Sequence, residues 1–265
     1  MTVVIESGAT DVDGICILHS NRFDIGTLTY SSETTGFEAA NALADETWNS
    51  WKPASVPATI TIEKFSPSSA DCCGISAHNM GSTGASFKVQ YSSDGVTWND
   101  ATSLISPLTD ATIMVFFPEV LSGWFRLRIV DAVCNIGNFK VSKKLAFGTG
   151  VISGHKPIHH SQVIDMLSNK SQTGHLLGNR VIRRGAVASV DAGLVDRAFA
   201  ENDLANFEAN YNSGRSFYYC GSPSETPLDM GYCWRPNGGD VMNITWEEGD
   251  ALAQVDFGVE VYVTA

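Results

Sequence analysis

Residues 75–101 read ISAHNMGSTGASFKVQYSSDGVTWNDA, a glycine-punctuated polar turn running into an alternating segment that ends at a tryptophan. Phe87, Val89 and Tyr91 alternate with Lys88 and Gln90, the period of two that a strand with one buried face requires. The SSDG at 92–95 then supplies a turn in which glycine takes the positive φ of a tight hairpin, and Trp98 is placed to cover the hairpin's inner face. The same period recurs on either side. ATITIEKF at 58–65 turns Ile60 and Ile62 inward, GWFRLRIVD at 123–131 turns Phe125, Leu127 and Ile129 inward against Arg126 and Arg128, and FGVEVYVTA at 257–265 turns Phe257, Val259, Val261 and Val263 inward. Clusters of Gly, Pro, Ser and Asn separate these runs, which is the texture of an antiparallel sandwich or barrel.

Helix signals are few. GFEAANALAD at 36–45 supports a turn or two, and DRAFAENDLANFEANYNSG at 196–214 carries Phe199, Leu204, Phe207 and Tyr211 near helical spacing and stops at Gly214. At 265 residues the chain exceeds an ordinary domain of roughly 100–200 residues, so two domains are expected. The glycines and proline of KKLAFGTGVISGHKP at 143–157 mark the boundary, giving a sandwich over 1–147, with 1–20 as a lead-in arm, and a second β-rich domain over 148–265 with one helix near 196–212.

The net charge of −12 repels phosphate backbones and anionic membranes, and no Lys or Arg follows Arg235. Neither nucleic-acid binding nor membrane insertion is expected. The one basic cluster, GNRVIRRG at 178–185, reads as a strand with solvated arginines. The start of the chain lacks a signal-peptide pattern, and Cys16, Cys72, Cys73, Cys134, Cys220 and Cys233 read as reduced, buried thiols of a protein made in a cytoplasm.

ANALADETWNSWKPASVPATITIEKF at 40–65, the 78–101 segment and GWFRLRIVD together resemble the discoidin, or coagulation-factor C-type, branch of the galactose-binding-like jelly rolls, over roughly residues 20–147. In that reading Asp45, Glu46 and Thr47 cap a turn, and Trp48 and Trp51 plug the end of the sandwich. The resemblance implies a glycan or lipid-headgroup site in loops at one end of the sandwich. Its candidates are Trp48, Trp51, His78 and Asn79, with Asp45 as a ligand only if a structural calcium were present. The alternative for His78 and Asn79 is that they tie their own loop.

SGRSFYYCGSPSETPLDMGYCWRPNGG at 213–239 with the closing strand resembles the C-terminal segment of bacteriophage tail proteins. The combined resemblance implies a virion tail-tip or baseplate component that works by assembly with other tail proteins and copies of itself, as a ring or trimer. Phe217, Tyr218, Tyr219, Tyr232 and Trp234 are then the expected subunit interface, because interfaces favour aromatics. The other function that it implies is recognition of a host-surface glycan.

No enzyme is expected. GHKPIHH at 154–160 sets His155 and His159 four apart, but Gly154 and Pro157 break a helix there and no Glu stands between them. No phosphate-cradling Gly-x-x-x-x-Gly-Lys or nucleophile elbow occurs, Cys220 and Cys233 have no histidine near in sequence, and Glu247, Glu248 and Asp250 read as a solvated acidic turn. No metal and no cofactor is implied.

Overall fold

The computed structural model describes residues 1–151, 155–247 and 251–263, without the side chains at positions 22, 25, 64 and 65. It is mainly β. The first half contributes β1 (Thr2–Ile5), β2 (Cys16–Leu18), β3 (Thr27–Tyr30), β4 (Ala58–His78), β5 (Ser86–Ser92), β6 (Asn99–Asp100), β7 (Ile113–Val130), β8 (Ile136–Ser142) and β9 (Leu145–Ala146). The second contributes β10 (Gln162–Lys170), β11 (Leu176–Asp196), β12 (Phe217–Cys220), β13 (Met230–Trp234), β14 (Asn243–Glu247) and β15 (Leu252–Val261).

Two long strands build the sandwich. Residues 58–63 of β4 pair with 124–129 of β7, and after a shift in register residues 68–75 pair with 113–122. The first pairing is extended by β3 and β5, the second by β8 and by β1, which joins β7 in parallel. The two halves of these strands face each other across one core, in which Ile60 and Ile62 meet Cys73 and Ile75, and Phe125, Leu127 and Ile129 meet Ile113, Val115 and Phe117. The alternation read from the sequence is therefore the inward face of one layer.

The other layer is buried on both sides. Met114 and Phe116 of β7 and Cys72 of β4 point away from the sandwich core into a second apolar layer with Cys16, Leu18, Tyr218, Cys220, Met230 and Tyr232. This accounts for the unbroken apolar run at 113–117 and for the adjacent Cys72 and Cys73, which point to opposite faces. All six cysteines are free and buried.

The second sheet runs β10-β11-β15-β13-β12-β2-β9, with β14 on β15. Its far face buries Phe217, Tyr219, Cys233, Val255, Phe257, Val259 and Val261 under Leu204, Phe207 and Tyr211. Those last three residues lie on Leu204–Asn212, which follows Arg197–Asn202 as a separate short helix, so the single helix expected near 196–212 is two, meeting at Asp203. The turn or two expected within 36–45 is a 3-10 helix at Ala39–Leu43. Strand membership crosses the boundary placed at 147/148: β2 and β9 come from the first half and pair into the second sheet.

The turn at 92–95 forms as its chemistry dictates. Asp94 accepts from the backbone N–H groups of Val96 and Thr97 at 2.8 Å each, and Gly95 has φ +72°. Trp98 does not cover the inner face. Its ring lies 3.9 Å under the Arg126 guanidinium, and Arg126 alternates with the core residues of β7, so the pair stacks on the outer surface.

Candidate functional site

The loop from Ser31 to Lys52 closes one end of the sandwich, and it is stitched by its own polar groups. Glu33 accepts from the Tyr30 hydroxyl at 3.0 Å and from the Ala39 N–H at 2.9 Å, and Asn41 donates to the Ser50 carbonyl at 3.2 Å and accepts from Asn49 at 3.1 Å. Trp51 is fully buried, donates its indole N–H to the Ser32 carbonyl at 3.1 Å, and pairs by backbone with Ile136. It is the plug that the sequence predicts. Trp48, three residues earlier, is not: its side chain stands 83% exposed on this fixed loop.

His78 and Asn79 both bond to their own chain. His78 is buried, donates from Nε2 to the Ala111 carbonyl at 2.9 Å and accepts at Nδ1 from the Met80 N–H at 3.2 Å. Burial lowers its pKa, partly opposed by that carbonyl, so both contacts suit the neutral ring. Asn79 accepts from the Asn135 N–H at 2.6 Å, and its carbonyl receives the Ser82 and Thr83 hydroxyls. Of the four expected ligand-binding side chains, Trp51 and His78 are buried, Asn79 is partly buried with its Oδ1 engaged, and Trp48 is exposed.

Four of the five aromatics expected at a subunit interface are sealed inside their own chain. Phe217, Tyr218, Tyr219 and Tyr232 are buried, and Trp234 is partly buried against the layer between the sheets. The reason is strand alternation. Phe217 and Tyr219 face the helices, while Tyr218 and Tyr232 face the sandwich, so these residues do form an interface, but between the two sheets of one molecule.

Asp45 belongs to that junction instead of capping its turn. It accepts from the Lys140 ammonium at 2.9 Å, from the Ser216 hydroxyl, and from Arg215 at 3.4 Å, while its own carbonyl accepts from the Tyr232 hydroxyl at 2.7 Å. Burial raises the Asp45 pKa, but Lys140, Ser216 and Arg215 more than offset it and hold the carboxyl below its usual range. Lys140 is itself buried and also donates to the Ser216 carbonyl at 2.7 Å. No signal in the sequence distinguishes this lysine from a surface one.

Among the described residues no group of three or more His, Cys, Asp or Glu side chains is placed to hold a metal ion. His155 donates from Nε2 to the Asp229 carboxylate at 2.7 Å, and Asp229 also receives the Ile158 N–H, so this histidine anchors the segment that leads into the second sheet. Gly154, Glu248 and Asp250 lie outside the described residues. No described helix is long and apolar enough to cross a membrane.

No protein-family model and no curated protein matches the chain. Solved structures resemble part of it. A pectin-binding carbohydrate-binding module is 18% identical over 46% of this chain and 91% of its own, with a TM-score of 0.40. The CBM32-5 module from Clostridium perfringens, solved with GalNAc-β-1,3-galactose, is 14% identical over 44% of this chain and 94% of its own, with a TM-score of 0.39. A chitosan-binding module from a Paenibacillus chitosanase/glucanase is 20% identical over 46% and 98%, with a TM-score of 0.37.

Proposed function

We propose that the chain is a non-catalytic carbohydrate-binding protein in which Trp48 supplies the surface against which a sugar ring stacks. One observation carries this reading: a tryptophan 83% exposed on a loop that Glu33, Asn41, Asn49 and Trp51 stitch through hydrogen bonds. An indole left in water on a fixed platform gains from covering by the apolar face of a ring, and the platform loses little freedom when that happens. The chain's negative charge favours neutral over acidic sugars. A glycan array followed by titration calorimetry on the full chain tests it. Trp48→Ala is expected to weaken binding at least ~tenfold with the melting temperature unchanged. A chain that binds no glycan, or whose Trp48→Ala variant binds as the parent does, overturns it.

A second reading, a subunit of a bacteriophage tail, is kept because one feature favours an assembly role: a long hairpin whose residues 162–170 and 176–184 are all exposed. Electron microscopy of virions labelled with antibody to this chain tests that reading, and label confined to the medium would end it.

A further inference from the structure

The second sheet ends in an arm. Among the described residues Gln162–Lys170 pairs only with β11, and β11 pairs with β15 only from Ala186 onward, so residues 162–185 form a two-stranded ribbon with no further strand paired on either edge. All positions in 162–170 and 176–184 are exposed on both faces. Eight large apolar side chains between Val163 and Ile182 are 40–69% exposed. A two-stranded ribbon is marginal by itself in water, and apolar residues on both of its faces have no core to enter.

Its charge is opposite to that of the rest of the chain. Lys170, Arg180, Arg183 and Arg184 stand against Asp165, giving the arm a net +3; within a chain of net −12, the remainder carries −15. Arg183 turns back onto Glu260 of the sheet, a pairing of arm cation with body carboxylate. Among the described residues Lys170, Arg180 and Arg184 make no ion pair. At the arm's root an apolar groove of about 160 Å³, lined by Met1, Ile158, Leu228 and Val263, borders the first ribbon pair, Gln162 and Ala186.

We infer that the arm docks on a second copy of this chain, each arm lying on the acidic body of its partner. Reciprocal docking covers both arms and pairs their free cations with carboxylates, as a two-fold contact requires. Nucleic acid would satisfy the arginines and leave the apolar side chains wet, and an anionic membrane would repel the body. The inference rests on neither reading of the function, since a glycan-binding protein and a tail subunit can both be dimers.

Sedimentation of the full chain over a range of concentrations tests it. The expected result is a reversible dimer whose dissociation constant rises with salt. It should rise at least ~tenfold in Leu167→Glu/Ile182→Glu, which alters only exposed positions. Because every native cysteine is buried, Ser168→Cys carries a single accessible thiol, and a polarity-sensitive dye on it should shift to the blue as protein concentration rises. A monomer at all concentrations overturns the inference, including one whose arm binds duplex DNA or anionic vesicles instead. So does a dimer indifferent to the double substitution with no dye shift.

Discussion

Trp48 and Trp51 show how far two neighbouring residues of one type can diverge. Trp51→Ala removes a fully buried indole and its bond to Ser32, and a loss of about 3–5 kcal/mol in denaturant unfolding is expected, where Trp48→Ala leaves stability unchanged. From the sequence both tryptophans read as plugs, because spacing and residue type cannot say which of two indoles the loop turns inward. His19 makes a second prediction at this scale. Burial, reinforced by repulsion from Lys140, lowers its pKa from 6.5 to about 4, and its Nδ1 accepts from the Asn210 amide at 2.7 Å. The unfolded chain therefore takes up the proton first. This contribution is intact above pH 6.5 and is lost as pH falls toward about 4, by up to ~3 kcal/mol. Unfolding curves measured at intervals between pH 7 and 4 should be flatter for His19→Gln than for the parent.

At the scale of elements, β4 meets β12 through a glycine. A Cβ on Gly74 would lie 2.6 Å from the Tyr218 ring, which is itself held against Tyr232 with centroids 4.9 Å apart, so neither ring can give way. Gly74→Val is expected to cost ~1–3 kcal/mol by overpacking, and Tyr218→Leu placed with it should restore part of the melting temperature. Strands with one wet face were legible: Phe125, Leu127 and Ile129 are inward as their alternation says. Strands such as β12 were legible as strands but not in their partners, because FYYC is apolar on both faces and burial between two sheets of one chain leaves the same pattern as burial between chains. The arm was read as a solvated strand at GNRVIRRG and is exposed there, yet its length and its bare apolar side chains depend on where β15 stops pairing, which no local pattern encodes.

The whole molecule is a stack in which the two sandwich layers, the second sheet and the helices bury three successive apolar layers. Composition and period establish a β-rich chain with two cores. The middle layer was not legible, because it is assembled from β2 near one end of the sequence, β4 and β7 near the middle, and β12 and β13 near the other end. The candidate site followed the same rule: the loop carrying Trp48 was singled out by its resemblance, while the junction around Asp45 depends on Lys140 and Ser216, far away in sequence. β11 belongs to both the arm and the sheet, and this gives the molecule a defined load path. Backbone hydrogen bonds lie perpendicular to their strands, so tension applied along the arm reaches β15 as shear shared by the rungs from Ala186 to Asp196, not as peeling that breaks them singly. A contact made at the arm is thus mechanically coupled to the core of the sheet.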